Sequence, residues 1–181
     1  MDPTRPDAHD ARPRSVGTSI AVRPVRAGDA SSWRELWSGF CTFYGVDVPA
    51  HVTDATWARL LDPASPLLGY VATLGGDNDA ALPVGFVNCV LHPYTWGTQP
   101  VCYLEDLFVA PAARRTGAGR ALIDHVVAAA TEHGWARVYW HTDRTNLPAR
   151  KLYDRYIEAD DFVRYTLATS PEHPPRSAPA L

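Results

Sequence analysis

Residues 101–120 read VCYLEDLFVAPAARRTGAGR, and the organisation of the chain follows from this run. Its first nine residues are nearly continuous apolar residues, the pattern of a central strand covered on both faces. Two adjacent carboxylates, Glu105 and Asp106, interrupt it. Side chains alternate along a strand, so one is directed to each face of the sheet. Burying a carboxylate is costly unless it is paired, hydrogen-bonded or protonated. Two readings stay open for each: a satisfied polar residue beside a strand bulge, or a group kept for chemistry. After the strand come Arg114-Arg115-Thr116-Gly117-Ala118-Gly119-Arg120 and a run with helical spacing. Such an order aims free backbone amides and the positive end of a helix dipole at one point, an anion site suited to a pyrophosphate. The glycines let a ligand approach the backbone closely. The loop lacks the Lys-Ser/Thr of a nucleoside-triphosphate loop and the third glycine of a dinucleotide fingerprint, so neither ATP hydrolysis nor NAD is expected.

Upstream of that run, Leu67–Leu74 and Pro83–Leu91 are predicted strands around Gly75-Gly76-Asp77-Asn78, which is hairpin-turn chemistry. Ser19–Val25 alternates like a first strand, and Asp29 is placed to cap a helix. Trp33, Trp37, Phe40 and Tyr44 share one face of that helix. They form core, or the wall of an acceptor pocket. Thr53 is predicted to cap a second short helix bearing Trp57, Leu60 and Leu61. Downstream, Gly117–His133 reads as a long helix and Arg137–His141 as a strand. Asn146 caps a helix with Pro148 in its first turn, and Phe162–Leu167 is a predicted last strand. The order β-α-α-β-β-β-α-β-α-β implies a single α/β domain, layered as α+β, with helices on both faces of a mixed sheet.

The 181 residues, 46% of them apolar, suit one domain with its own core. A net charge of −3 gives no electrostatic footprint for nucleic acid or an anionic membrane. No apolar run has the length of a membrane span. Cys41, Cys89 and Cys102 are an odd set without CxxC spacing, which argues against a disulfide framework, and no metal site is expected. Residues 1–18 and 170–181 hold seven of the sixteen prolines, so mobile tails are expected around a domain at 19–169. With no signal-peptide pattern, the expected compartment is the cytoplasm.

The stretch Tyr103–Tyr153 resembles the central region of the GNAT superfamily of acyl-CoA-dependent N-acyltransferases. Arg114, Gly117 and Gly119 match its Gln/Arg-x-x-Gly-x-Gly/Ala signature, and Asn146, Ala149, Leu152 and Tyr153 match a downstream motif. The strand with Leu-Glu-Asp-Leu-Phe-Val is similar to that of the diamine (spermidine/spermine) and histone-and-polyamine branch. Asp160-Asp161-Phe162 departs from the many relatives that place a glycine before the aromatic.

The resemblance implies a mostly antiparallel sheet with a splayed central strand pair, and acetyl-CoA as cosubstrate. The backbone at Leu107, Phe108 and Val109 would pair with the pantetheine arm. The pyrophosphate would be held by the amides of Arg115, Thr116, Gly117, Ala118, Gly119 and Arg120, with Arg114 beside them. Asn146 and Arg150 would contact the cofactor. In a direct attack of an amine on the thioester, Glu105 would serve as base through a water and Tyr153 as acid. Trp37, Tyr44, Asp106 and His141 are the candidate acceptor contacts, although His141 also reads as an ordinary strand-end histidine. The acceptor is expected to be a polyamine, another small amine or a lysine side chain on a peptide, and the chain a homodimer. An antibiotic-modifying acetyltransferase is the rival within this class, and a non-catalytic acyl-CoA-binding regulatory module the rival outside it.

Overall fold

The structure is a computed structural model that describes residues 19–76 and 81–169. The two proline-rich tails and Asp77-Asn78 of the expected turn lie outside the described residues. In chain order the elements are β1 (Ile20–Pro24), α1 (Ala30–Tyr44), α2 (Ala50–Leu61), β2 (Leu67–Leu74), β3 (Pro83–His92), β4 (Val101–Val109), α3 (Ala118–Glu132), β5 (Val138–Trp140) and α4 (Leu147–Tyr153). The strands form one sheet in the order β1-β2-β3-β4-β5. The first three pairings are antiparallel and β4–β5 is parallel.

Helices cover both faces, as the continuous apolar strand requires. On one face Trp33, Leu36 and Phe40 of α1 and Trp57 and Leu60 of α2 bury Val71, Phe86 and Phe108. The aromatic stripe is therefore mostly core, with Trp37 stacked between Trp33 and Phe40 at 5.4 Å from each. On the other face Leu122, Ile123 and Val126 of α3 cover Tyr70, Val87, Cys89, Cys102 and Leu104. No helix among the described residues is long and apolar enough to cross a membrane.

Three local expectations are corrected. Asp29 precedes α1 without bonding its amides. Its carboxylate is spent on a buried two-pronged ion pair with Arg23, at 2.7 and 2.8 Å, and on the Arg26 amide at 2.8 Å. Burial would raise its pKa, but those hydrogen bonds outweigh it and hold the group below the usual carboxylate value. Thr53 lies inside α2, which begins after Pro49. Its hydroxyl accepts a hydrogen bond from the Trp37 indole N–H at 3.2 Å instead of capping. The predicted strand Phe162–Leu167 does not form, and residues 162–169 have no regular structure. A strand persists only when its backbone groups find a partner, and no described strand pairs with this segment.

Candidate active site

The feature that opens the site is a bulge. Asn88 pairs with Asp106, whereas Cys89 pairs with Leu104, so Glu105 is the extra residue on β4. The insertion reverses which residues face which helix layer. Cys102 and Leu104 point into the α3-side core, while beyond the bulge Phe108 enters the α1-side core and Leu107 and Val109 turn to α3. Two neighbours separated by one parity step thus land in different surroundings: Asp106 is 8% exposed, and Glu105 is exposed. Of the two carboxylates, only Asp106 is therefore buried. Asp106 accepts a hydrogen bond from the Asn88 amide at 3.2 Å and lies close enough to Cys41 of α1 to raise that thiol's pKa, after burial itself. It contributes charge from beneath the surface and not an open contact.

Next to the bulge the sheet parts. β4 and β5 pair only from Cys102 to Leu104 with Val138 to Trp140. Beyond this, the β5-facing backbone of Leu107, Phe108 and Val109 has no strand neighbour among the described residues, while the Phe108 ring is packed away under α1. The main chain, and not these side chains, is what the gap offers to an extended ligand. Tyr153 of α4 stands beside it with its ring 5.5 Å from that of Trp140. Its hydroxyl pKa is pushed up to about 12, by burial first and then by Tyr44 of α1. Tyr44 and Tyr153 belong to helices on opposite faces of the sheet, so this influence reaches across the layer.

The loop between β4 and α3 has the geometry of an anion cradle. Arg115 and Gly117 both take left-handed backbone angles, φ +67° and +100°. Gly117 precedes the first turn of α3, whose leading amides have no carbonyl within the helix to pair with. Thr116 fixes the loop by donating to the Ala113 carbonyl at 2.7 Å and accepting from the Ala118 amide at 3.4 Å. Arg114 donates to the Val109 carbonyl at 3.2 Å, with its guanidinium 5.7 Å from the centre of the Phe108 ring. Arg120 pairs with Asp124 at 3.3 Å. A Cβ on Gly119 would meet Leu152 and Val109 at 3.5 and 3.7 Å, ordinary contacts, so protein packing does not by itself require glycine there. Nearby, Asn146 caps α4 as expected, accepting from the Ala149 amide at 3.4 Å, and its own amide donates to Thr142. Arg150 donates to the Arg144 carbonyl at 3.3 Å. An anion cradle at the helix start and a strand edge leading from it that β5 does not cover fit a pyrophosphate carrying an extended arm.

The acceptor candidates divide. Trp37, Asp47 and Thr53 line a cleft of 260 Å³ between α1 and α2, on the far side of α1's buried stripe. Tyr44 reaches toward the gap, and His141 lies exposed just past the end of β5. Sequence reading missed the residues around His141. Tyr103 and Tyr139 are paired across β4 and β5 with rings stacked at 5.0 Å. The Tyr103 hydroxyl is 3.2 Å from His141 Nδ1, and the Tyr139 hydroxyl is 2.8 Å from His92 Nε2. Their signal was alternation: Tyr103 lies two residues before Glu105, and Tyr139 two before His141.

The chain matches the Acetyltransferase (GNAT) family over residues 32–157. It is 34% identical over 152 residues to the D-amino-acid N-acetyltransferase HPA3 of Saccharomyces cerevisiae, covering 84% of this chain and 92% of that protein. It is 32% identical to the aminoglycoside N(6')-acetyltransferase type 1 of Klebsiella aerogenes, covering 67% and 74%. Among solved structures, the aminoglycoside N-acetyltransferase AAC(6')-Iy in complex with CoA shares the fold, with a TM-score of 0.69 at 22% identity, covering 88% of this chain and 99% of that one. With the matched span running from α1 through the phosphate loop to just past Tyr153, the chain belongs to the GNAT acetyltransferase family and is an acyl-CoA-dependent N-acetyltransferase that uses acetyl-CoA.

Proposed function

We propose that the acceptor is a primary amine, whether a polyamine, another small amine or a lysine side chain, received as its ammonium where β4 and β5 part. The observation that carries this reading is the exposed Glu105 carboxylate at the bulge, on strands that also present Tyr103 and Tyr139. A carboxylate beside aromatic rings suits a cation. Tyr44 and His141 are the nearer acceptor contacts. Asp106, and Trp37 with Asp47 behind α1, add charge and shape at a distance.

Acetyl-CoA supplies the thioester carbonyl and the thiol leaving group. The amides from Arg115 to Arg120 hold its pyrophosphate, with Arg114, Asn146 and Arg150 around it, and the main chain of Leu107–Val109 orients its arm. The protein then manages protons. An amine attacks only as the free base, so a group at the mouth must take a proton, and Glu105 does this through a water. Tyr153 serves the departing thiolate. Its hydroxyl, pushed up to about 12, is fully protonated at neutral pH. Giving that proton outright to a thiolate of ordinary pKa about 8.5 runs uphill. Tyr153 therefore donates a hydrogen bond as negative charge develops, and passes its proton only as it regains one.

A second reading, modification of an aminoglycoside antibiotic, is supported by the 32% identity to an aminoglycoside acetyltransferase. The three buried, unbridged cysteines agree with a reducing compartment, in keeping with a cytoplasmic enzyme. Thiol release from acetyl-CoA across polyamines, arylalkylamines, amino acids, lysine peptides and aminoglycosides tests the acceptor. Turnover with a primary amine of the first groups supports the main reading, and turnover confined to aminoglycosides replaces it with the second.

A further inference from the structure

Glu105 is exposed at the mouth of the gap. Carboxylates as a class ionise near pH 4 and imidazoles near 6.5, which makes an imidazole the better recipient at neutral pH. Two imidazoles lie on this side of the β4–β5 pair, and their hydrogen bonds separate them. His92 is consumed at both ring nitrogens. Its Nδ1 is 2.9 Å from the Pro93 carbonyl, which can only accept, so Nδ1 carries the hydrogen and Nε2 receives the Tyr139 hydroxyl at 2.8 Å. Among the described residues His141 has one nitrogen engaged, Nδ1 with the Tyr103 hydroxyl oxygen at 3.2 Å. Its ring stands edge-on to Tyr103 and Tyr139, at 5.3 and 5.9 Å, which fixes its plane while leaving it exposed. The last paired residues of the two strands are Leu104 and Trp140, and one step beyond them come Glu105 and His141.

The geometry points to His141 as a further catalytic residue, the base that takes the acceptor's proton in series with Glu105, with Tyr103 as its positioning residue. This rests on the amine-acceptor reading above. With Nδ1–H donating to the Tyr103 oxygen, Nε2 keeps its lone pair for the incoming proton. One N–H bond of the ammonium breaks as an N–H bond forms at Nε2, directly or through Glu105 and a water. The ammonium becomes the neutral nucleophile, and the imidazolium returns its proton to solvent. Glu105 offsets the imidazolium charge. The groups on this side of the pair are Tyr103 beside the ring, Tyr139 from β5 with Arg137 above it at 5.2 Å, Glu105, whose charge acts on Tyr139, and His92 behind Tyr139.

The test uses the full chain with acetyl-CoA and the best amine of the panel. His141→Gln should lower kcat/KM by roughly 10²-fold near pH 7, with recovery as pH rises and the amine deprotonates unaided. Added imidazole should restore His141→Ala in proportion to its free base. Tyr103→Phe, which removes the hydroxyl that orients the ring, should lower kcat severalfold with little change in KM. A His141→Gln enzyme within twofold of wild type from pH 6 to 9 overturns the inference. So does a loss confined to KM, a loss that imidazole does not relieve, or a Tyr103→Phe enzyme with unchanged kcat. Wild-type turnover alongside any of those outcomes leaves amine acetylation standing. No thiol release by the wild type with any amine removes that reading and this inference together.

Discussion

Tyr153 and Glu105, the residues proposed for proton transfer, sit in different surroundings, one half-buried beside Trp140 and the other exposed. Tyr153 is a phenol whose pKa burial and Tyr44 push up to about 12. A group raised that far stays protonated through the working range, so the wild type should show no alkaline fall in kcat from Tyr153 below about pH 11. Tyr153→Phe should lower kcat by roughly 10²-fold or more while CoA affinity changes little, because the ring against Trp140 remains. Steady-state kinetics beside calorimetric CoA titration separates the two quantities, and an unaltered kcat would remove Tyr153 from the chemistry. Glu105→Gln should reduce kcat/KM most at low pH, where few amines are already neutral, and raising the pH should partly rescue it. A rate independent of this change across pH would make Glu105 a packing residue of the bulge. Its exposure, together with the conservative shape of Gln, keeps any loss from being a folding effect.

The bulge on β4 and the start of α3 do at the level of elements what no single side chain does. One inserted residue turns Asp106 and Phe108 to one layer and leaves Glu105 at the mouth, while the short β5 ends before Leu107–Val109, which pair with β3 alone among the described strands. Strand and helix then converge on the loop from Arg114 to Arg120. Gly119 tests that convergence cleanly, since a methyl group there meets only ordinary contacts with Leu152 and Val109. Gly119→Ala should leave the melting temperature of the free protein nearly unchanged while weakening CoA severalfold. The wild type should gain melting temperature with CoA, because a ligand that binds only the native state stabilises it. A wild type that gains nothing at millimolar CoA, or a Gly119→Ala variant that gains as much as wild type, would sink the close-approach role. Gly117 is a poorer probe: its φ of +100° strains any replacement, so lost binding and lost stability would arrive together.

Across the whole molecule the unbalanced feature is the end of the described chain. Phe162, Tyr165 and Leu167 are 90%, 91% and 87% exposed, with Ile157 and Val163 also largely in water. Adjacent to them in the fold's order, β5 ends the sheet at Trp140 with an outer edge that pairs with no described residue. So much apolar surface in one stretch is the mark of an interface. The expected state is therefore a homodimer in which a second copy covers this segment. Light scattering at working concentration should give twice the 19.9 kDa chain mass, and replacing Phe162 and Tyr165 together by Ser should return it to one. A monomeric wild type refutes this.

Much of this protein was legible in order along the chain, and the legible parts share a cause. The strands at 67–74 and 101–109, the Asn146 cap with Pro148 behind it, and the glycine-rich turn into α3 are set by neighbours within a few residues. Periodicity, capping and backbone freedom act at that range, so composition and spacing are enough to read them. What tertiary structure alone decided involves partners far apart in sequence. Asp29 abandons its cap because Arg23 reaches its carboxylate from β1, and the Thr53 hydroxyl receives the Trp37 indole from another helix. Residues 162–167 have the alternation of a strand and none of its structure, since a strand exists only where another edge receives it. Glu105 and Asp106 are the sharpest case. Adjacent and chemically alike, they are separated into an exposed acid and a buried one by a register shift opposite Asn88 and Cys89, eighteen residues away on another strand.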